Sequence, residues 1–447
     1  MVEKIKSVVL AILVFSSLFL TYQLWYSKQP AELIVEDTYE RVIMEPPRPL
    51  DEVFFPSLLT IATEDGWIIP DRENSGFKAI WEVVRNSIAT LEKDPQNIAA
   101  VIAEGEKLAV LYFKPLLPAG QDYNWTINYP SLRISQIFIQ RHENQLWMVA
   151  IAANEEAIYA RELQADMANP LEGTIAVLKD SQAVTYFQLS EDLFYLSGEA
   201  SVVIQDPIFL PTEPLIMTRL ALKPETYNRD QLLKTFFVDY SLARIIEEKD
   251  GGLIYTDGEK GLRLTSSSIE YSNPRLEQTL VNIEYYDALV NCNNYISYHG
   301  GWLPGLRLET LEMTGWNQAG AYAGQWRMYF SGYPLFTSIP TKVILNDRGM
   351  VHFSRSLYHI DESIQLDNTL VETANWLEAL EKAVVLLDEE RAGLRSYLRV
   401  EAMRPAYAAV NIGQSIIAEP VWFIQVNGKR FFLKADSLAQ IKEGELM

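Results

Sequence analysis

The chain holds four histidines, His142, His299, His352 and His359, and one cysteine, Cys292. These are the side chains from which metal centres and activated nucleophiles are most readily built, and their spacing argues against both. His352 and His359 lie seven apart on a predicted strand over 351–360, so they point to opposite faces. One thiol excludes a cysteine-based metal site. His299-Gly300-Gly301 resembles the glycine-rich loop of a lipase oxyanion hole. That loop works with a Gly-x-Ser-x-Gly elbow, and the sequence contains none. The reading that requires no chemistry is a helix end, with Gly300 in a left-handed C-cap and His299 beside the negative terminus. Adjacent carboxylates at Glu155-Glu156, Glu247-Glu248 and Glu389-Glu390 fall near polar turns or helix ends, and nothing among the 59 acids marks a glycosidase pair. Walker A and G-x-G-x-x-G patterns are missing. The expectation is a chain with no catalytic residues, metal or cofactor.

The most distinctive stretch lies at the start. From Val8 to Leu20 only Ser16 and Ser17 are polar. Extended through Tyr22, Trp25 and Tyr26, the run reaches about 20 residues, enough to cross a ~30 Å hydrocarbon core as a helix. Lys4 and Lys6 outweigh Glu3 on the short flank, which places that flank in the cytoplasm, and Tyr22, Trp25 and Tyr26 are predicted interfacial anchors on the far side. No A-x-A-like cleavage triplet follows the run, and the sole cysteine lies far away, so no lipobox exists. Residues 1–28 read as an uncleaved signal anchor. In lipid, helices associate through close packing and small residues. At 100° per residue, Ser7, Ala11, Val14, Leu18 and Thr21 fall within roughly 80° of one another; Ser7/Ala11 and Ser17/Thr21 are small-xxx-small pairs, with Ser17 at the edge of the face. This is the candidate interaction face.

The formal net charge is −21. Residues 1–28 carry three lysines and one glutamate, so the remainder carries about −23. Such a body repels nucleic acid and anionic headgroups. Its first role is solubility, and metal ions or a basic partner are the attraction it allows. With one cysteine there is no internal disulfide, and Cys292 reads as a buried structural thiol. Asn124-Trp125-Thr126 fits the N-glycosylation pattern and carries little alone.

The elements behind the anchor predict an α+β fold, a mixed multidomain ectodomain of antiparallel sheets with packed helices. Pro30, Pro46, Pro47, Pro49 and Pro56 make 29–56 an extended connection. A first α+β domain is expected over 57–206, with a helix over 75–91 capped by Ser75. Pro207, Pro211 and Pro214 mark the boundary of a middle domain over 207–300. It holds a helix over 228–237, a hairpin turning at Asp257-Gly258 and a long helix over 276–298. A third domain over 301–447 contains a helix over 369–386, then strands turning at Asn427-Gly428. Trp376, Leu377, Leu380, Val384, Trp422 and Ile424 are its expected core.

Four groups of residues then carry a resemblance. Leu20-Thr-Tyr-Gln-Leu-Trp25 closes the anchor. Phe236-Phe-Val-Asp239 is followed by Tyr255-Thr-Asp-Gly258. Asn294-Tyr-Ile-Ser-Tyr-His-Gly-Gly-Trp302 is the third, and Trp326 with Gly332-Tyr-Pro334 the fourth. The chain resembles the YycH regulatory proteins of Gram-positive bacteria over most of its length, least between about residues 30 and 130. The ending Pro420-Val-Trp422 with Asn427-Gly428 is similar to YycI, the usual partner of that family, and to PepSY-like modules. The resemblance implies an accessory protein of a sensor histidine kinase that controls cell-wall metabolism. It implies contact with the kinase, partly through transmembrane helices, and association with a YycI-like protein, with no catalytic residues to carry over.

A second reading stays open beside it: an anchored extracytoplasmic binding module for a cell-wall glycan or peptide, using the abundant Tyr and Trp. A row of exposed tryptophans along a groove favours the glycan, and an apolar surface without a deep groove favours a protein partner. The topology itself is testable. A reporter fused after Met447 should be active outside the cytoplasm and inactive inside, and the mature chain should retain residues 1–28. A mature N-terminus after residue 28 would refute the anchor.

Overall fold

The structure is a computed structural model that describes residues 13–17, 19, 42–95, 98–118, 132–153, 157–181, 184–189, 201–249, 251–276, 282–314, 320–360, 370–390, 397–413 and 415–447. Of the expected interaction face, Val14 lies in a described helical run, 13–17, and is exposed. Ser7, Ala11, Leu18, Thr21, Tyr22, Trp25 and Tyr26 lie outside the described residues. Among the described residues no helix is long and apolar enough to cross a membrane.

Among the described residues from 42 on, the α-helices are α1 (Leu50–Val53), α2 (Ser75–Ile88), α3 (Ile98–Glu104), α4 (Ala165–Lys179), α5 (Arg229–Phe236), α6 (Tyr285–Tyr298) and α7 (Trp376–Glu390). In α2, Phe77, Ile80, Trp81, Val84 and Ile88 recur every three or four residues and are all buried. Its cap is Asn74, whose Oδ1 accepts from Gly76 N–H at 2.8 Å, and not the expected Ser75. Asn228 caps α5 in the same way, accepting from Gln231 N–H at 3.0 Å.

Helix α6 is shorter than expected. Residues 282–284 are not helical and Pro274–Leu276 forms a 3₁₀ turn, so Ile283 and Leu276 lie outside the helix; residues 277–281 lie outside the described residues. Likewise α7 starts at Trp376, because Leu370–Glu372 pairs as a strand with Ile216–Thr218. Of its expected core, Leu380, Trp422 and Ile424 are buried, Trp376 and Val384 are half-buried, and Leu377 is exposed. The predicted strand over 351–360 is two strands, Gly349–Ser356 and Tyr358–Ile360, which pair with different neighbours.

Strands within 58–211 form a nine-stranded antiparallel sheet, with α2 and α4 packed together over it. Most strands from 201 onward form a sixteen-stranded sheet in which antiparallel pairs dominate, while Ile216–Thr218 and Leu370–Glu372 form a separate two-stranded sheet. This mixed α+β architecture agrees with the expected class. Its partition does not follow the expected boundaries. Ser268–Ser272 pairs with Gly349–Ser356, so one sheet runs across residue 300 without a break. Ser201–Ile204 leaves the first sheet and pairs in parallel with Tyr397–Ile412. Leu189, Ile208 and Leu210 are buried with α7 residues in the same cluster. The hydrophobic gain comes from closing one core, which takes apolar strands from wherever the chain supplies them.

A polar network lies in this sheet. Glu309 accepts from Arg327 Nε at 2.7 Å, from Arg404 Nη2 at 3.0 Å and from the Tyr329 hydroxyl at 2.9 Å. Burial alone would raise the Glu309 carboxyl. The guanidinium groups of Arg327 and Arg404 outweigh it and hold the group below the usual carboxylate range. A depressed folded pKa contributes stability that is present above the unfolded value, about 4.3, and is lost as pH falls through the folded value. Thermal stability should therefore drop on acidification below about pH 4.3. Glu309→Gln should flatten that dependence while costing on the order of 3 kcal/mol at neutral pH, because two guanidiniums lose their counter-charge. Melting curves across pH 3–7 of both proteins check this.

Candidate coupling site at the His299 turn

Helix α6 buries Tyr285, Ala288, Leu289, Cys292, Asn293 and Ile296, a helical stripe facing the core. Its last turn ends inside the protein, where the final carbonyls need donors. The chain segment from the N-terminal side supplies them. Met44 N–H donates to Tyr298 O at 3.2 Å and Glu45 N–H to Ser297 O at 3.1 Å. The Glu45 carboxylate accepts from Trp302 N–H at 3.2 Å. Asn293 Nδ2 donates to Arg48 O at 2.8 Å, and the Arg48 guanidinium lies 5.7 Å from the Trp302 ring centre. Trp302 Nε1 donates back to Ser297 Oγ at 2.9 Å. Residues 44–48 form a strap along the end of α6.

The turn beneath the strap is built for close approach. Gly300 has φ +130° and Gly301 φ +71°, a region costly for residues with a Cβ. A Cβ on Gly300 would stand 2.6 Å from Arg355 Nη1, and one on Gly301 2.5 Å from Glu45 Oε1. Arg355 is fully buried and donates from Nη1 to Gly301 O at 2.6 Å. The Tyr227 hydroxyl donates to Gly300 O at 3.2 Å. Burial pushes the Arg355 guanidinium down from the usual arginine range, against the opposing pull of Tyr227, Glu225 and Glu45.

His299 is 2 % exposed. Its ring stacks on Phe236 of α5, with centroids 4.4 Å apart, and on Tyr295 of α6 at 5.7 Å. Nδ1 lies 3.1 Å from Thr235 Oγ1. The ring ties two helices to the sheet strand bearing Phe353. An imidazole 2 % exposed, stacked between two aromatic rings and bonded to the Thr235 hydroxyl does structural work at the helix end.

The connection over 29–56 was expected to be unpacked. From Met44 on it is docked: Leu50, Phe54 and Pro56 are buried, and Arg72 covers the Phe55 ring at 3.5 Å. The adjacent aromatic pair Phe54-Phe55 was the signal for burial; the prolines masked it. Glu45, Arg48 and Arg355 were not singled out from sequence, because what makes them a site is their meeting at one turn. His142 lies at a strand end, His352 pairs across to Ile344, and His359 Nδ1 sits 3.3 Å from Glu225 Oε2. Among the described residues no group of His, Cys, Asp or Glu could hold a metal ion. A cavity of about 20 Å³ lined by Trp326, Arg327, Ser356 and Tyr358 has room for about one water.

Comparison with known proteins adds to this geometry. Residues 205–436, more than half of the chain, match the model of the YycH protein C-terminal domain, and residues 3–97 match that of its N-terminal domain. The chain belongs to the YycH family. In three dimensions it is similar to the crystal structure of YycH from Bacillus subtilis, at 16% identity, 87% of this chain and 98% of that one, with a TM-score of 0.61. That likeness concerns the YycH fold. An uncharacterized protein from Eubacterium rectale covers 57% of this chain at 10% identity with a TM-score of 0.37. No curated protein sequence matches. YycH membership implies a regulator of the YycG kinase system. It also puts the His299 turn inside the matched C-terminal region and the strap inside the matched N-terminal one.

The strap can be loosened without unfolding the body. Glu45→Ala should speed hydrogen exchange at Met44, Glu45 and Trp302 at least tenfold and open 43–49 to proteolysis. Global stability should fall by no more than about 1.5–3 kcal/mol, the contribution of a hydrogen bond to a charged group. Unchanged exchange at these amides would remove Glu45 from the strap's anchoring.

Proposed function

We propose that this YycH-family chain is a non-enzymatic, membrane-anchored regulator of a sensor histidine kinase that controls cell-wall metabolism. Residues 1–28 anchor it with the N-terminus in the cytoplasm and the ectodomain outside the cell membrane. It acts through transmembrane-helix and ectodomain contacts with the kinase and a YycI-like partner. The observation that supports this reading most directly is the strap. Met44 and Glu45, on the C-terminal side of the expected anchor, are hydrogen-bonded to the end of core helix α6, which gives the N-terminal segment a fixed attachment point on the body. A regulator that works by contact requires such a connection.

The second reading, a glycan or peptide module, draws no support from the described residues. Among the described residues no tryptophan is exposed: Trp81, Trp326 and Trp422 are buried and Trp67, Trp147, Trp302 and Trp376 half-buried.

The face carrying Ser7, Ala11, Val14, Leu18 and Thr21 is the contact surface in the bilayer. Replacing Ser7 and Ala11 with Leu should lower kinase recovery in membrane co-purification several-fold while leaving insertion intact. Ser16→Leu, on the opposite side, should change it little. Equal loss from both faces, or no loss from either, would move the contact to the ectodomain.

A further inference from the structure

Strand Arg244–Glu247 is an outer edge of the sixteen-stranded sheet. All four residues are exposed, Ile245 by 58% and Ile246 by 52%. It pairs on one side with Leu253–Thr256, setting Arg244 against Thr256 and Ile246 against Ile254. Just beyond, Glu248 N–H donates to Gly252 O at 2.8 Å. Hydrogen-bonded positions alternate along an antiparallel ladder. Arg244, Ile246 and Glu248 therefore bond inward, and the N–H and C=O groups of Ile245 and Glu247 face away from the sheet. Free backbone groups beside two β-branched side chains form a template for another strand. The charges select which strand. Arg244 stands at one end and Glu247-Glu248 at the other, so a parallel copy is repelled and an antiparallel copy attracted.

We propose that this edge pairs with the same edge of a second copy of the chain, antiparallel about a twofold axis through Ile246, joining two sheets into one. A twofold axis normal to a sheet keeps each side chain on its own face, so paired positions differ by an even number. Centring on Ile246 pairs Ile245 with Glu247 of the second copy, twice over, which bonds the outward backbone groups of both strands. Ile246 meets its own counterpart at a non-hydrogen-bonded position, where Cα atoms approach to about 4.5 Å. Arg244 faces Glu248 of the second copy on that same side. Glu248 already accepts from Arg263 at 2.6 Å, and Arg263 reaches Glu270 at 2.9 Å, so the new contact extends an existing charge array. So short a ladder buries less than the roughly 1,200 Å² of a stable soluble complex. Pairing therefore draws on the local concentration that a common membrane tether provides, and in that respect it rests on the anchored reading above.

The test uses the full chain in the membranes of the expressing cell, with fractionation reporting independently whether it is anchored. The single natural cysteine, Cys292, is buried and its thiol is pushed up by burial, so it gives no background. At a twofold centre, one introduced cysteine faces its own copy within disulfide reach. Under mild oxidation Ile246→Cys should give a disulfide-linked homodimer as the main product. Ile254→Cys, on the same face one strand inward, should give at least tenfold less. Adding Arg244→Glu to Ile246→Cys should lower the dimer several-fold, because like charges then face across the axis. The proposal is overturned if Ile246→Cys gives no homodimer, if it links only to a different protein, or if Ile254→Cys links equally well. A membrane-bound chain with no homodimer overturns the pairing alone; a chain recovered outside the membrane overturns the anchor.

Discussion

A helix that stops inside a protein leaves carbonyl groups that must find donors, and the end of α6 is where this requirement governs the structure. The Ser297 and Tyr298 carbonyls take the amides of Glu45 and Met44. An unmet acceptor in a buried place costs on the order of 1–3 kcal/mol, so the strap is part of the fold and not a loose leader. The same requirement explains the glycines. The strap's carboxylate and the Arg355 guanidinium approach the turn so closely that a Cβ at Gly300 or Gly301 would displace one of them. Arg355 then holds the Gly301 carbonyl from below while Trp302 closes the turn from the side.

Around this junction the two large sheets share one apolar core. The cluster that contains Leu59, Ile61 and Leu111 of the first sheet also contains Leu289, Cys292 and Ile296 of α6 and Phe353 of the second. The Tyr285 hydroxyl donates to Leu116 O at 3.0 Å, tying the start of α6 to the first sheet as the strap ties its end to the N-terminal segment. Polar contacts reinforce the seam. Arg307 Nη2 reaches Asp71 at 3.4 Å, and Arg72, stacked on Phe55, is pushed down to about 9 by burial and by neighbouring Arg307. Two sheets joined by a shared core, a helix fixed at both ends and buried charges resist relative motion. The strap residues 44–48 are bonded to this same body at the end of α6.

Much was legible from the sequence because it depends on local pattern. The α+β class, α2 and α5 with their three- and four-residue apolar spacing, the hairpins at Asp257-Gly258 and Asn427-Gly428, and the helix end at His299-Gly300 all follow from periodicity and turn chemistry, which act between near neighbours. So did the family, whose motifs are short and contiguous. The candidate site was half legible. His299, Gly300, Gly301 and Trp302 are adjacent in the chain and stood out. Glu45, Arg48, Tyr227 and Arg355 did not, since an isolated charge or phenol carries no sign of what it will meet.

The domain boundaries were the least legible part. Pro207, Pro211 and Pro214 look like a linker, yet Phe209–Pro211 is a fully buried strand and Ser201–Ile204 pairs with a strand that begins at Tyr397. Proline reports only a lost N–H and a fixed φ, and both are tolerated at a sheet edge. Strand pairing over such distances is decided by which apolar faces close a common core, a property of the whole chain. The sequence by itself determined the elements and the family, through interactions within a few residues. Only the tertiary structure decided that residues 44–48 complete helix α6 and that one sheet spans residue 300, because those contacts join groups about 250 and 80 residues apart whose complementarity exists only once the fold has formed.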